Sequence, residues 1–187
     1  HDTCDIDTVV RRSEDSGKSW GPEIIVFDEA ENVAGNPCPV VDQSTGRIWS
    51  VNTWNSSKIS ENQIVAGFGE DSRRVFVTFS DDDGKTWASP RDITKSVKRK
   101  DWSWYATGPG AGIQLERGKH KGRLIIPCDH KALPEGKPYT YHSHVVYSDD
   151  HGETWQIGAV SAVGLNECMA VELEDGSLML NSRNHGV

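Results

Sequence analysis

Cysteine spacing would most directly announce a chemistry in a chain of this kind. Cys4, Cys38, Cys128 and Cys168 stand 34, 90 and 40 residues apart. No pair shows the close interval of a zinc site or the CxxC of a thiol–disulfide centre. A chain of 187 residues can build an apolar core without a disulfide framework, so buried free thiols are expected. They leave the redox compartment open. Charge says more: 28 Asp+Glu against 20 Lys+Arg give a net charge of −8. That balance argues against a general nucleic-acid binder, which needs a basic face. An anionic substrate would have to be held by a few placed arginines against the overall field. No motif calls for a metal or an organic cofactor. No window approaches about 18 consecutive apolar residues, so no membrane span is expected. No basic N-terminal region with an apolar stretch behind it is visible, so no signal peptide is read.

The elements that position any such chemistry are announced by an internal repeat. Ser13-Glu14-Asp15-Ser16-Gly17-Lys18-Ser19-Trp20 recurs at Ser80–Trp87 and again at Ser148–Trp155. All three fit S-x-D-x-G-x-[ST]-W, and their serines lie 67 and 68 residues apart. The composition is that of a tight turn. Asp and Ser side chains bond nearby backbone N–H groups, Gly supplies a positive φ, and the Trp re-enters the fold as an apolar anchor. These turns are read as staples without a catalytic part.

Each turn follows a β-rich run: Thr8-Val9-Val10, Val75 to Phe79, and His144 to Tyr147. Further strands are expected at 23–27, 47–53, 112–115, 123–127, 170–173 and 177–181. Helical periodicity is absent over any useful length. Apolar residues make up only 35% of the chain, with 18 Gly and 7 Trp, which suits a turn-rich β protein with aromatic anchors. Several strands per repeat of ~67 residues predict an all-β propeller with four strands to a blade.

These residues resemble the exo-α-sialidases (neuraminidases). The octapeptide is their Asp-box, and Arg11-Arg12 leads into the first copy as it does there. Thr107-Gly108-Pro109-Gly110-Ala111-Gly112-Ile113-Gln114-Leu115 is similar to the family's GPGxGIQL segment, and Gly122–Pro127 to the strand after it. Asn166-Glu167, Val171-Glu172-Leu173, Asp175-Gly176 and Asn181-Ser182-Arg183 follow in the family's order. The resemblance runs over essentially the whole chain. It implies a six-bladed β-propeller of the sialidase type, of which residues 1–187 would cover roughly three blades of a single domain, since six such blades need about 400 residues.

The same resemblance implies a site. Asp2 would be the general acid/base, with Asp5 and Asp7 as competitors that more simply cap the entering strand. Glu167 would take the proton from a nucleophilic tyrosine, and Glu172 would be an outward strand residue. Arg183 would hold the carboxylate of sialic acid as one member of an arginine triad, a planar anion suiting a bidentate guanidinium. Trp54 would line the pocket for the N-acyl group, a core Trp being the competing reading. Asn36 would stand where relatives place an Asp. The other two arginines and the nucleophile would lie outside 1–187, because the contexts of Tyr105, Tyr139 and Tyr141 do not match. The carboxylate on the anomeric carbon explains a neutral nucleophile, which avoids bringing anion to anion.

The implied activity is hydrolysis of terminal α-linked sialic acids from glycoproteins, glycolipids or oligosaccharides, with retention through a tyrosyl intermediate. It needs no cofactor or metal, and its partners are sialylated glycoconjugates. Secreted, periplasmic or lysosomal placement is the family's. A non-catalytic Asp-box propeller that binds glycans or proteins is the alternative, and a trans-sialidase on another nonulosonic acid a third. Three blades alone leave sheet edges open, so the piece by itself is expected to be inactive and prone to aggregate.

Overall fold

The computed structural model describes residues 4–67 and 73–185. Thirteen strands follow in chain order, with two short helices among them. They are β1 (Thr8–Val10), β2 (Ile24–Phe27), β3 (Val33–Val41), β4 (Ile48–Asn55), α1 (Glu61–Val65), β5 (Arg74–Ser80), β6 (Arg91–Asp92), α2 (Thr94–Val97), β7 (Trp102–Thr107), β8 (Ile113–Gln114), β9 (Leu124–Ala132), β10 (Thr140–Ser148), β11 (Gln156–Val160), β12 (Leu165–Glu172) and β13 (Leu178–Asn184). They form antiparallel sheets in succession: β1-β2, then β3-β4-β5-β6, then β7-β9-β10-β11 with β8 also on β9, then β12-β13. Four strands to a blade is therefore the observed unit. No helix of the described residues is long and apolar enough to cross a membrane.

Successive sheets bury their faces against one another. Val51, Val75 and Trp49 of the first complete blade pack against Leu124, Ile126, Cys128 and Trp155 of the second. Leu115, Ile125 and Val145 carry the second blade onto Ala170 of β12. Phe27, Ala34 and Phe76 join the β1-β2 sheet to the first blade. Sheets stacked face to face without sharing strands give the propeller arrangement.

The three octapeptides link β1 to β2, β5 to β6 and β10 to β11, the third and fourth strands of each blade. Their chemistry is as expected. In the second copy Asp82 Oδ1 accepts from the backbone N–H of Lys85 at 3.0 Å and of Thr86 at 2.9 Å, and the Gly84 N–H donates to Ser80 Oγ at 2.9 Å. These bonds hold the aspartates below the usual carboxylate range, Asp15 to about 2, with the Ser19 hydroxyl the largest cause. Residues four and five of each turn take positive φ: Ser16 and Gly17, Asp83 and Gly84, His151 and Gly152. Trp155 is buried as expected, whereas Trp20 is 61% exposed.

The strand between Val33 and Val41 was not legible, because Gly35, Pro37 and Pro39 argue against a strand. It forms as the edge of its sheet, where a proline N needs no donor, and a bulge between Gly35 and Cys38 absorbs the misfit. β7 and β11 were missed too. All four cysteines are free, Cys38, Cys128 and Cys168 buried and Cys4 exposed. Glu172 departs from the outward position expected of it. Its side chain is 7% exposed, and it accepts from the backbone N–H groups of Glu116 and Arg117 at 2.8 and 3.0 Å, which ties β12 to the neighbouring blade.

Candidate active site

The register of the blades separates two ends. Ile48 pairs with Ser80 and Leu124 with Ser148, so the turns sit together at one end. Trp54 pairs with Arg74 and Lys131 with Tyr141 at the other. At the turn end, ion pairs cross between elements. Arg47 reaches Asp81 at 2.7 Å and Glu153 at 3.2 Å, Arg123 reaches Asp149 at 2.7 Å, and His151 meets the buried Asp42 at 2.8 Å. Charges matched in this way fasten blades.

The opposite end holds a cavity of about 320 Å³. Its wall includes Asn36 of β3, Trp104 of β7, Asp129 and Lys131 of β9, and Glu167 and Arg183 of the β12-β13 hairpin. Three of the residues expected from sequence therefore meet here. Arg183 Nη1 lies 2.8 Å from Glu167 Oε2, and Arg183 Nε donates to Asn166 Oδ1 at 3.1 Å. A bulge between Leu165 and Cys168 brings Glu167 beside Arg183. With side chains 56% and 43% exposed, both can be reached by a ligand.

Asn36 is held from below. It adopts φ 48, a left-handed conformation that Asn tolerates better than most residues. Its Oδ1 accepts from Thr53 Oγ1 at 2.8 Å and from Arg73 Nη1 at 3.1 Å, while Thr107 Oγ1 donates to its carbonyl. Its amide N–H₂ makes no bond among the described residues and is the group left for a ligand.

Trp54 is corrected. Strand alternation sends Thr53 toward Asn36 and Arg73, and so puts Trp54 on the other face of β4. There it packs on the Phe27, Ala34 and Phe76 cluster, with the Arg74 guanidinium 5.6 Å over its ring. The aromatic wall of the cavity is Trp104, with the buried Arg73 guanidinium 4.0 Å over its ring. Asp2 lies outside the described residues. Asp5 and Asp7 are exposed and do not line the cavity.

Asp129, Lys131 and Tyr141 were not anticipated. Burial, and then the charge of Glu167, raises the Asp129 carboxyl to about 7, against the opposing pull of Arg73 and Arg183. Burial lowers the Lys131 amine, whose Nζ sits 4.4 Å from the Tyr139 ring and 4.1 Å from that of Tyr141. Burial also raises the Tyr141 phenol. One signal was available: an acid in the otherwise apolar run Leu124-Ile125-Ile126-Pro127-Cys128 is a buried carboxyl in the making. In sum the cavity offers an arginine for an anion, a carboxylate within reach of the same ligand, an aromatic wall and neutral polar groups.

Comparison with known proteins agrees with this layout. Residues 2–187 match the family described as BNR repeat-like domain. A sialidase of Micromonospora viridifaciens is 35% identical over 93% of the chain, and mouse sialidase-3 is 34% identical over 88%. Of these relatives' own lengths the chain spans 27% and 41%. Among solved structures, the Hadza microbial sialidase Hz136 superposes with a TM-score of 0.82 at 31% identity, over 95% of this chain and 36% of that one. Trypanosoma rangeli sialidase in complex with sialic acid, at 19% identity and a TM-score of 0.76, shares the fold. A BNR-repeat match over nearly all its residues, together with relatives of this similarity, makes the chain a member of the sialidase family, a six-bladed β-propeller of which it covers part.

Proposed function

We propose that this chain is part of an exo-α-sialidase that hydrolyses terminal α-linked sialic acids from glycoproteins, glycolipids or oligosaccharides. The observation that carries the reading is the Arg183–Glu167 pair at 2.8 Å on the wall of a cavity bounded by Trp104 and Asn36. Arg183 takes the sugar carboxylate, a bidentate role suited to a guanidinium. Glu167, released from Arg183 by that exchange, takes the proton of a tyrosine supplied by a segment beyond these residues. The resulting phenolate attacks the anomeric carbon. Asp2 protonates the leaving oxygen and then deprotonates water, the acid/base task of a retaining mechanism. Asn36 meets a neutral polar group of the substrate. In this reading residues 1–187 belong to one propeller domain, with sialylated glycoconjugates as partners.

The stereochemical course tests it. Proton NMR of sialyllactose digested by the full-length protein should show the α anomer of free sialic acid first, followed by mutarotation. First appearance of the β anomer would replace retention with inversion. Absence of release would favour the non-catalytic glycan-binding propeller.

A further inference from the structure

Asp129 is the group in the cavity that the reaction outlined above leaves without a task. It sits in the middle of β9, opposite Ser143 of β10 and Ala106 of β7. Its neighbours Cys128 and His130 point to the other face, where Cys128 joins the inter-blade core and His130 stacks on Trp102 at 3.5 Å. Asp129 and Lys131 therefore share the face that lines the cavity. The residue is 2% exposed, and its Oδ1 has no hydrogen-bond partner. A buried polar atom left unpaired is costly, and nearly all such atoms in folded proteins find a partner. Here the open side of that atom is the site itself.

We propose that Asp129 is a further substrate-contacting residue, its unpartnered oxygen meeting a hydroxyl group of the same sugar whose carboxylate Arg183 holds. The assignment rests on the sialidase reading and adds a specificity contact to it.

The chemistry favours an uncharged partner. Glu167, from β12, and burial both oppose ionisation of Asp129, while Arg73 from β5 and Arg183 from β13 favour it. The other titratable groups that feel its charge are Tyr105 of β7, Cys128 of β9, Tyr141 of β10 and Cys168 of β12, and each of these is held neutral by its own burial. A neutral carboxylic acid both donates and accepts, which matches a hydroxyl on both counts. Once ionised it could only accept, and it would place a second negative charge beside Glu167 and an anionic substrate. A sugar lacking that hydroxyl would leave the acid orphaned, the situation in which a polar site discriminates most strongly.

The test uses the full-length protein, a fluorogenic sialoside and a panel of its monodeoxy analogues, with Asp129→Ala and the near-isosteric Asp129→Asn. The alanine variant should lose about 10- to 100-fold in kcat/KM at pH 6. The asparagine variant, which can still donate and accept, should recover most of that loss. Wild-type kcat/KM should fall as pH rises through about 7, and the asparagine variant should lack that limb. One monodeoxy sialoside should be a poor substrate for the wild type yet cost Asp129→Ala nothing further. If every analogue loses the same factor in wild type and Asp129→Ala, or both variants match wild type at all pH values, the assignment is wrong while the sialidase reading stands. A wild-type protein that cleaves none of the sialosides overturns the sialidase reading and this assignment with it.

Discussion

Arg183 Nη1 and Glu167 Oε2 lie 2.8 Å apart across the β12-β13 hairpin, each about half exposed. A pair so open to water contributes no more than about 1 kcal/mol, so it does not lock the hairpin. It holds two opposite charges ready for exchange, because a substrate carboxylate can displace Glu167 from the guanidinium at little cost.

Arg183→Ala should therefore lower kcat/KM on a sialoside by about 10- to 100-fold, the loss of one charge-assisted bidentate contact. Arg183→Lys should recover only part of it, since an ammonium cannot form the fork. Steady-state kinetics on the full-length protein decide this, and full recovery by lysine would show that charge alone matters.

Gly152 and Gly17 occupy the same place in two turns, at φ 91 and 85. A Cβ on Gly152 would come within 2.1 Å of the buried Trp49 ring, while one on Gly17 meets nothing within 4 Å. Both alanine variants carry the cost of a left-handed residue, about 1–2 kcal/mol. Gly152→Ala should cost about 1–3 kcal/mol more through overpacking. Urea denaturation of the two variants checks the difference, and equal midpoints would show that Trp49 yields.

The contrast between these glycines shows how far the sequence could be read. The octapeptides announced both their turn geometry and the blade period, because Asp, Ser and Gly act through local backbone bonds. They could not say which copy would press on a neighbouring blade. The cavity followed the same division. Glu167 and Arg183 were legible through a motif, whereas Trp54 and Trp104 exchanged roles because only strand register decides which face a tryptophan takes. Asp129 and Arg73 depend on burial by residues distant in sequence, and local context carries little trace of that.

His130 and His144 meet Nδ1 to Nδ1 at 3.0 Å, and burial lowers them to about 2 and about 3 from an ordinary 6.5. Groups whose folded values are depressed in this way are neutral when folded and take up protons on unfolding below pH 6.5. Stability is then fully present above that value and is lost as pH falls. Asp129 acts oppositely, since its raised folded value makes the folded state hold the extra proton between about 4 and about 7. The net should be uptake of about one proton on unfolding between pH 4 and 6, or about 1.4 kcal/mol of lost stability per pH unit of acidification. Denaturant titrations across that range measure the slope, and a flat or inverted profile contradicts it.

Asp129→Asn removes the opposing term. Its stability should fall more steeply than wild type on acidification, toward two protons, while it gains on wild type at pH 8 by an amount on the order of a few kcal/mol. Parallel curves for the two proteins would place the Asp129 carboxyl at an ordinary value.

The most direct measurement is turnover of a fluorogenic sialoside by the full-length protein and its Glu167→Gln variant. The reading developed from the hairpin predicts release by the wild type and a fall in kcat of about 10²- to 10⁴-fold in the variant, the range of a lost general base, with KM changed far less. Turnover by Glu167→Gln within a few-fold of wild type would remove Glu167 from the reaction and contradict the account.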